Sequence, residues 1–411
     1  MKNEFCAASL GYAVNTPAFV CDETALAFSC ERVRALCRDA KIRQFFPLKC
    51  HNLFGSLQII GDYIDGFAAS SLFEAQLARE ILGDVKKVHF TSPGLRDDEL
   101  EALLSLCDGI SFNSLSQWAR FKDQLSGHVT SGLRINPQLS FVKDTRYNPC
   151  RPHSRLGAPL EKIKQALASQ PELLQGIEGI HFHTNCDATD WSPLKKTVQH
   201  LDTHIPHLLR QCRWINLGGG YLLEENTDLS AFRDAVQLLQ NKYELEVIIE
   251  LGAGIVRDTC FLVAQVVDLF ESDGMQIVVL DTTVNHMPEV FEYQFNPDVV
   301  GDTNEGRYSY ILTGATCLAG DVFGEYAFDT PLAVGSRVIF TSVGAYTLVK
   351  SHMFNGVNLP TIYALSPAGE LKLQKQHNYE DFRHTWGPEK HDKSVRNVIE
   401  NSQGRRKRRT A

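Results

Sequence analysis

The 411-residue chain has no apolar run near the ~20 residues that a membrane-spanning helix requires, so no span of that kind is expected. Its start lacks a basic stretch followed by an uninterrupted apolar one, with Asn3 and Glu4 coming early, and no secretory signal is expected. None of the eleven cysteines forms a C-x-x-C pair or shows the Cys/His spacing of a zinc site. Free thiols in a reducing compartment are expected, with no disulfide framework and no metal. Positive charge is not in excess either: the formal net charge is −8, which favours neither nucleic acid nor an anionic membrane as a general partner. With 43% hydrophobic and 22% charged residues the composition is that of an ordinary soluble protein, and a cytoplasmic enzyme is the simplest expectation. There is no internal repeat. The one biased segment is the end of the chain, where Gly404 leads into Arg405, Arg406, Lys407, Arg408 and Arg409. Adjacent like charges repel, so residues 401–411 are expected to be a solvated, disordered tail, with a contact to nucleic acid or a membrane surface as the lesser alternative.

What is present is a repeated alternation. Eight short apolar runs occur at Phe45 to Lys49, Gly66 to Ala69, Lys87 to Phe90, Gly109 to Phe112, Gly132 to Asn136, Gly179 to His183, Trp214 to Leu217 and Val247 to Glu250. Such runs suit strands buried on both faces of a parallel sheet. Between them the spacing is helical. Asp22 is a candidate N-cap ahead of Leu26, Cys30, Val33 and Cys37, which share one face of a helix. Asp97, Asp98 and Glu99 stand where a helix N-terminus favours negative charge, before Leu100, Leu103 and Leu104. The alternation predicts an α/β fold, a (β/α)8 TIM-like barrel over residues 22–255, with a doubly wound sheet as the alternative. A typical barrel needs about 250 residues, so a second domain is expected. Beyond Gly254 the runs Phe261 to Val267, Ile277 to Leu280, Tyr308 to Leu312 and Arg337 to Phe340 are strand-like and separated by Gly, Asp and Pro. They predict a mainly β domain over residues 256–400, joined by an N-terminal strand from about residue 10 to 21.

The run ends carry chemistry. Lys49 follows the first, His183 the sixth, Gly218, Gly219 and Gly220 the seventh, and Glu250 closes the eighth. A lysine, a histidine, a glycine loop and a carboxylate at one end of one barrel point to pyridoxal phosphate, whose aldehyde needs a lysine, whose ring nitrogen needs a partner and whose phosphate needs N–H donors. Each residue has a plainer alternative when taken alone. Lys49 could be a surface charge, the triglycine a tight turn and Glu250 a helix cap. In HFHTN, His181 and His183 face the same way; His183, nearer the strand end, is the candidate to lie against the cofactor ring, and His181 reads as a satisfied core histidine.

Longer stretches make the family recognisable. PLK at 47–49, NPCRPHSRLG at 148–157, HFHTNCD at 181–187, NLGGG at 216–220, HMPEV at 286–290, TGATCLAGDVFGEYAF at 313–328 and KSHMFNGVNLP at 350–360 together resemble carboxynorspermidine (carboxyspermidine) decarboxylases. That family belongs to the alanine racemase-like, ornithine decarboxylase-like group of fold-type III pyridoxal phosphate enzymes, and the resemblance spans about Thr16 to Phe382. It implies that Lys49 binds the cofactor aldehyde, that His183 stacks on the ring and that Glu250 partners the pyridine nitrogen. It implies that Gly219, Gly220 and Tyr346 meet the phosphate and that Arg155 approaches the cofactor side. Cys317 and Asp321 resemble residues delivered across a head-to-tail homodimer, the cysteine to protonate the intermediate and the aspartate to meet the substrate's distal amine. Glu289 and Glu292 are further candidates to line an acidic substrate pocket, or else are solvated loop charges.

The activity implied is α-decarboxylation of carboxynorspermidine or carboxyspermidine to norspermidine or spermidine, a lyase step of polyamine and spermidine biosynthesis. The chain departs from the family in places. Glu250-Leu251-Gly252-Ala253-Gly254 lacks the proline and second acid that typically follow that glutamate. Ala253 stands where ornithine-type enzymes have a phosphate-binding arginine, and Tyr221 and Leu222 follow the triglycine where some members have two histidines. These changes, with Asn185 and Asp187, are expected to alter the pocket walls. They leave a decarboxylase of another amino acid, in a specialised pathway, as the alternative function. A racemase and an inactive cofactor-binding regulatory relative follow as lesser alternatives.

Overall fold

The computed structural model describes residues 13–387 apart from Ser126 and Asn304. The basic tail lies outside the described residues. Eight parallel strands close into a barrel: β1 (Arg43–Pro47), β2 (Gly66–Ala69), β3 (Lys87–Ser92), β4 (Gly109–Phe112), β5 (Thr130–Asn136), β6 (Gly179–His181), β7 (Trp214–Asn216) and β8 (Glu246–Ile249). Each pairs with the next and β8 pairs back onto β1, so the sheet is closed and not doubly wound. Every apolar run of the sequence falls on a strand, but the functional ends fall just beyond. Pro47 has no amide to donate and ends β1, so Lys49 sits in the 3-10 turn Leu48–Cys50. His183 and Glu250 likewise follow β6 and β8.

The helices form for the reasons the spacing gives. Asp22 caps helix Glu23–Ala40, its Oδ1 accepting from the amides of Thr24 (2.8 Å) and Ala25 (3.0 Å), and Leu26, Cys30, Val33 and Cys37 are the buried face. Helix Asp97–Leu106 opens with three acids and buries Leu100 and Leu103. Trp214, opening β7, fills the floor of the barrel. Gly132 and Gly179 on β5 and β6 leave room for its ring, which a Cβ at either position would overlap. Phe45, Ala68 and Ile248 complete that buried cluster.

The second sheet has eight strands. At its centre the 13-residue strand Cys260–Ser272 pairs antiparallel with Ala18–Asp22 and Arg337–Phe340, then shifts register between Val266 and Asp268 to pair with Met275–Leu280. Ala18–Asp22 also pairs in parallel with Thr361–Leu365, so the segment preceding the barrel is built into the later sheet. Its buried cluster, including Leu262, Val278, Leu312, Phe323 and Phe340, is separate from the barrel core. The loop after Arg337–Phe340 leans on the barrel. Gly344 N–H donates to the Arg257 carbonyl (2.9 Å), Tyr346 N–H to the Cys50 carbonyl (2.9 Å), and His51 Nδ1 bonds the Gly344 carbonyl (2.8 Å). Tyr346 and the Lys49 turn are thereby held together. Among the described residues no helix is long and apolar enough to cross a membrane.

Candidate active site

At the C-terminal end of the barrel strands lies a cavity of about 590 Å³ whose charged and imidazole lining includes Lys49, Arg134, Arg155, His181, His183 and Glu250. Four of these six were expected from the sequence. This is the barrel end where loop and strand-end side chains converge. Lys49 makes no hydrogen bond or ion pair among the described residues, so its amine is uncommitted. Arg155 lines the rim with an exposed side chain while its carbonyl accepts from Asn113 Nδ2 (2.8 Å).

Glu250 is buried, and Asn216 Nδ2 donates to its Oε1 at 2.7 Å, a bond from one barrel strand to the end of the next. Burial pushes its carboxyl above the ordinary carboxylate range, while Lys49, the Asn216 bond and Arg134 pull it back. Asn216 therefore fixes one oxygen and leaves the other for a ligand. His183 is fixed differently. Its Nδ1 accepts from the Gly219 amide at 3.1 Å, which puts the proton of the neutral ring on Nε2. Burial, then the charges of Lys49 and Arg134, holds its pKa well below the usual value, so it stays neutral.

His181 departs from the expectation of a satisfied core histidine. It is buried beneath the same cavity, and neither ring nitrogen has a hydrogen-bond partner. Burial first and Arg134 next hold it neutral. Two buried nitrogens without partners beneath a polar cavity are hydrogen-bonding capacity left unused within the site. Arg134, on β5, was missed in the sequence because it sits inside the run SGLRIN, read only as strand. It is buried, makes no hydrogen bond among the described residues and lies within electrostatic reach of Glu250. An arginine between Leu133 and Ile135 in a buried strand was the available signal.

The triglycine loop owes its glycines to its neighbours in the barrel. A Cβ on Gly218, Gly219 or Gly220 would overlap the carbonyls of Phe182, Glu250 and Asn185 respectively, and Gly218 and Gly220 hold φ of 66° and 84°. The Gly218 amide donates to Asn216 Oδ1 (2.9 Å) and the Gly219 amide to His183 Nδ1. Two of the three amides expected to approach an anion are therefore committed within the protein.

A second cavity of about 480 Å³ adjoins the first, with Tyr147 and Cys186 lining both. Tyr346, Ala253, Arg257, Asp187 and Glu289 line it. Tyr346 holds a φ of 54°, unusual for a non-glycine residue. Tyr147 stacks on Tyr293 with centroids 3.9 Å apart. Of the expected wall changes, Asn185, Asp187 and Ala253 do line a cavity. Tyr221 and Leu222 instead are buried, Tyr221 stacking on Trp191 at 4.5 Å and accepting from Asn185 Nδ2 at 2.7 Å.

Three expected substrate contacts have partners within the chain. Glu292 lines neither cavity and is ion-paired with Lys350 at the surface. Glu289 does line the second cavity, but its Oε1 already pairs with Lys350 Nζ at 3.2 Å. Asp321 is 3% exposed and spends both oxygens inside its own loop, Oδ1 on the Val284 amide (2.8 Å) and Oδ2 on the Thr316 amide (3.0 Å) and hydroxyl. A carboxylate so engaged holds the loop that carries Cys317. Cys317 itself is exposed, lines neither cavity, and is tied by its amide to Asn355 Oδ1 (2.8 Å).

The residues present fit pyridoxal phosphate. An uncommitted lysine, a carboxylate with one free oxygen, a neutral histidine and an unpaired buried histidine surround one cavity, and a tyrosine held beside the lysine's turn lines the next. Comparison with known proteins agrees. The family profile "Pyridoxal-dependent decarboxylase, C-terminal sheet domain" matches residues 18–344. Carboxyaminopropylagmatine decarboxylase of Synechocystis sp. is 38% identical over 378 residues, 90% of this chain and 95% of that protein. The carboxynorspermidine/carboxyspermidine decarboxylase of Campylobacter jejuni is 32% identical over 384 residues, 90% of this chain and 98% of that one. The crystal structure of carboxynorspermidine decarboxylase complexed with norspermidine, also from Campylobacter jejuni, superposes with a TM-score of 0.82 at 30% identity and covers 90% of this chain and all of that chain. With its closed barrel, its appended sheet and a lysine and carboxylate at the ends of neighbouring strands lining one cavity, the chain belongs to the pyridoxal-dependent decarboxylases and is a pyridoxal phosphate-dependent carboxy-lyase.

Proposed function

We propose that the chain removes the α-carboxylate of carboxynorspermidine or carboxyspermidine, giving norspermidine or spermidine. The observation that carries this reading is the adjacency of two cavities. The one around Lys49 and Glu250 shares Tyr147 and Cys186 with an adjoining chamber whose lining includes Glu289 and the stacked Tyr147 and Tyr293, surroundings that suit a long, doubly cationic tail. The similarity to relatives named for these substrates supports it. A second reading is carboxyaminopropylagmatine, the substrate in the name of the 38% identical relative, whose tail ends in a guanidinium. Tyr293 already has the protein's own Arg146 guanidinium 5.3 Å from its ring centroid, a setting that suits a planar cation.

When bound, pyridoxal phosphate supplies a carbonyl for amine exchange and a ring that withdraws electrons from the α-carbon. Lys49 would hold that carbonyl and yield it to the substrate amine. His183, kept neutral, would lie flat against the ring, and the free oxygen of Glu250 would keep a proton on the ring nitrogen. Gly218, Gly219 and Gly220 would shape the phosphate end, with Tyr346 donating there and Arg155 adding positive charge at the rim. The proton returned to the α-carbon would come from Cys317 of a second copy in a homodimer with shared sites, since Cys317 is exposed and remote from its own cavities. Cytoplasmic location suits a chain whose described cysteines are all free thiols.

Carbon dioxide release from the purified enzyme tests the substrate. A kcat/KM for carboxynorspermidine or carboxyspermidine well above that for carboxyaminopropylagmatine supports the first reading, and the reverse order selects the second. Release from another amino acid alone, or from none, defeats both. For the shared site, inactive Lys49→Ala and Cys317→Ala proteins are mixed and allowed to exchange subunits. Half the dimers are then hybrids with one intact site of two, so about a quarter of native activity should return; no recovery after demonstrated exchange rules sharing out.

A further inference from the structure

We propose that Arg257 is the phosphate-side cation of the cofactor site, a role that rests on reading the joined cavities as a pyridoxal phosphate site. Arg257 follows the short helix Ala253–Val256, one turn beyond Ala253, and both line the second cavity together with Tyr346. The other charged residues lining that cavity are Asp187, Glu289 and Asp298, all acidic. A dianionic phosphate beside Tyr346 would be repelled by these carboxylates. Arg257 is the cation positioned to offset them.

Its side chain is uncommitted. Among the described residues the guanidinium makes no hydrogen bond, and its one ion pair is a 3.8 Å approach of Nε to the exposed Asp258, too long for a hydrogen bond. Asp258 in turn accepts from Ser342 Oγ at 2.9 Å. The main chain of Arg257, by contrast, is fixed: its carbonyl accepts the Gly344 amide at 2.9 Å, in the same loop that delivers Tyr346. A Cβ on Gly344 would overlap the Val256 carbonyl, so the approach of that loop to Arg257 requires glycine. A tyrosine hydroxyl and a guanidinium are thus carried by two segments locked to each other at the wall of one cavity. Burial raises the Asp187 carboxyl, and Arg257 is the first influence pulling it back, so Asp187 shares the guanidinium's field. Arginine suits such a site because its planar fork can donate two bonds to one phosphate.

The test separates the phosphate from the rest of the cofactor. Dissociation constants of pyridoxal phosphate and of pyridoxal, which lacks the phosphate, are measured by equilibrium dialysis for the full chain and for Arg257→Gln and Arg257→Lys. Loss of a charge-assisted contact should weaken pyridoxal phosphate about tenfold or more in Arg257→Gln while pyridoxal changes less than about twofold, and Arg257→Lys should keep most of the affinity. An unchanged affinity for pyridoxal phosphate overturns the proposal. A parallel loss for both compounds also overturns it, because the residue then acts through the fold. Wild-type protein that takes up neither compound overturns the cofactor reading itself, a result distinct from the other two.

Discussion

Two buried carboxylates sit on the two halves of the molecule and are treated oppositely. At the barrel mouth Glu250 receives one side-chain hydrogen bond, from Asn216, and keeps an oxygen unspent beside Lys49 and Arg134. In the sheet domain Asp321 has both oxygens engaged, by two amides and a hydroxyl of its own surroundings. Burial alone therefore does not mark a functional acid. What marks it is capacity left over, and the same holds around it: among the described residues the side chains of Lys49, Arg134 and His181 make no hydrogen bond, whereas Glu289, Glu292 and Lys350 pair with one another at the edge of the second cavity.

The sharpest way to break this contrast is Asp321→Asn. An amide would turn its NH2 donor toward one of the two backbone N–H groups, and the loop should lose about 3 kcal/mol, read as a lower melting temperature. If melting were unchanged while KM for the polyamine substrate rose, Asp321 would be a substrate contact after all. Glu250→Gln should do the converse. It should retain cofactor yet lose roughly a hundredfold in turnover, about 2.7 kcal/mol, because an amide cannot keep the ring nitrogen protonated. Near-native turnover would reduce Glu250 to a structural role.

The pH dependence sharpens the same point. With its folded pKa raised, Glu250 in cofactor-free protein favours folding at low pH, and that contribution is lost as pH climbs from the ordinary carboxyl range through the raised value. Stability of Glu250→Gln should be flatter over that window, which denaturant titrations at several pH values would reveal; identical slopes would contradict the shift. The smallest effect is expected for Glu292→Gln, which removes one exposed arm of the Lys350 pair and should change stability by less than about 1 kcal/mol with little change in KM. A large rise in KM would return Glu292 to the substrate pocket.

Much of the fold was legible because burial on both faces leaves short apolar runs, and because helix faces such as Leu26, Cys30, Val33 and Cys37 repeat with the helical period. Lys49, His183 and Glu250 were legible because barrel chemistry gathers where strands end. Three strands carried no such signal. Val322–Phe328 is interrupted by Gly324 at a φ of 141°, and Thr361–Leu365 and Leu371–Lys375 are short, the latter leaving Leu373 56% exposed at the sheet edge. Within the site, Arg134 was hidden by its apolar neighbours, and Arg257 by falling a turn past the segment compared with relatives. For Asp321, a motif records which residue is present and not which of its atoms are already engaged. Its hydrogen bonds come from Val284 and Thr316, and only folding brings the first of these near.

Trp214 sets a rule of traffic. With its ring seated between Gly132 and Gly179, the barrel is stoppered at one end, and the loops that carry Tyr147 and Tyr346 frame the other. Substrate, amine product and carbon dioxide must share one doorway. The gas, small and uncharged, has no charge of its own to hold it there, while a cationic amine leaving by that doorway would pass the carboxylates that line it.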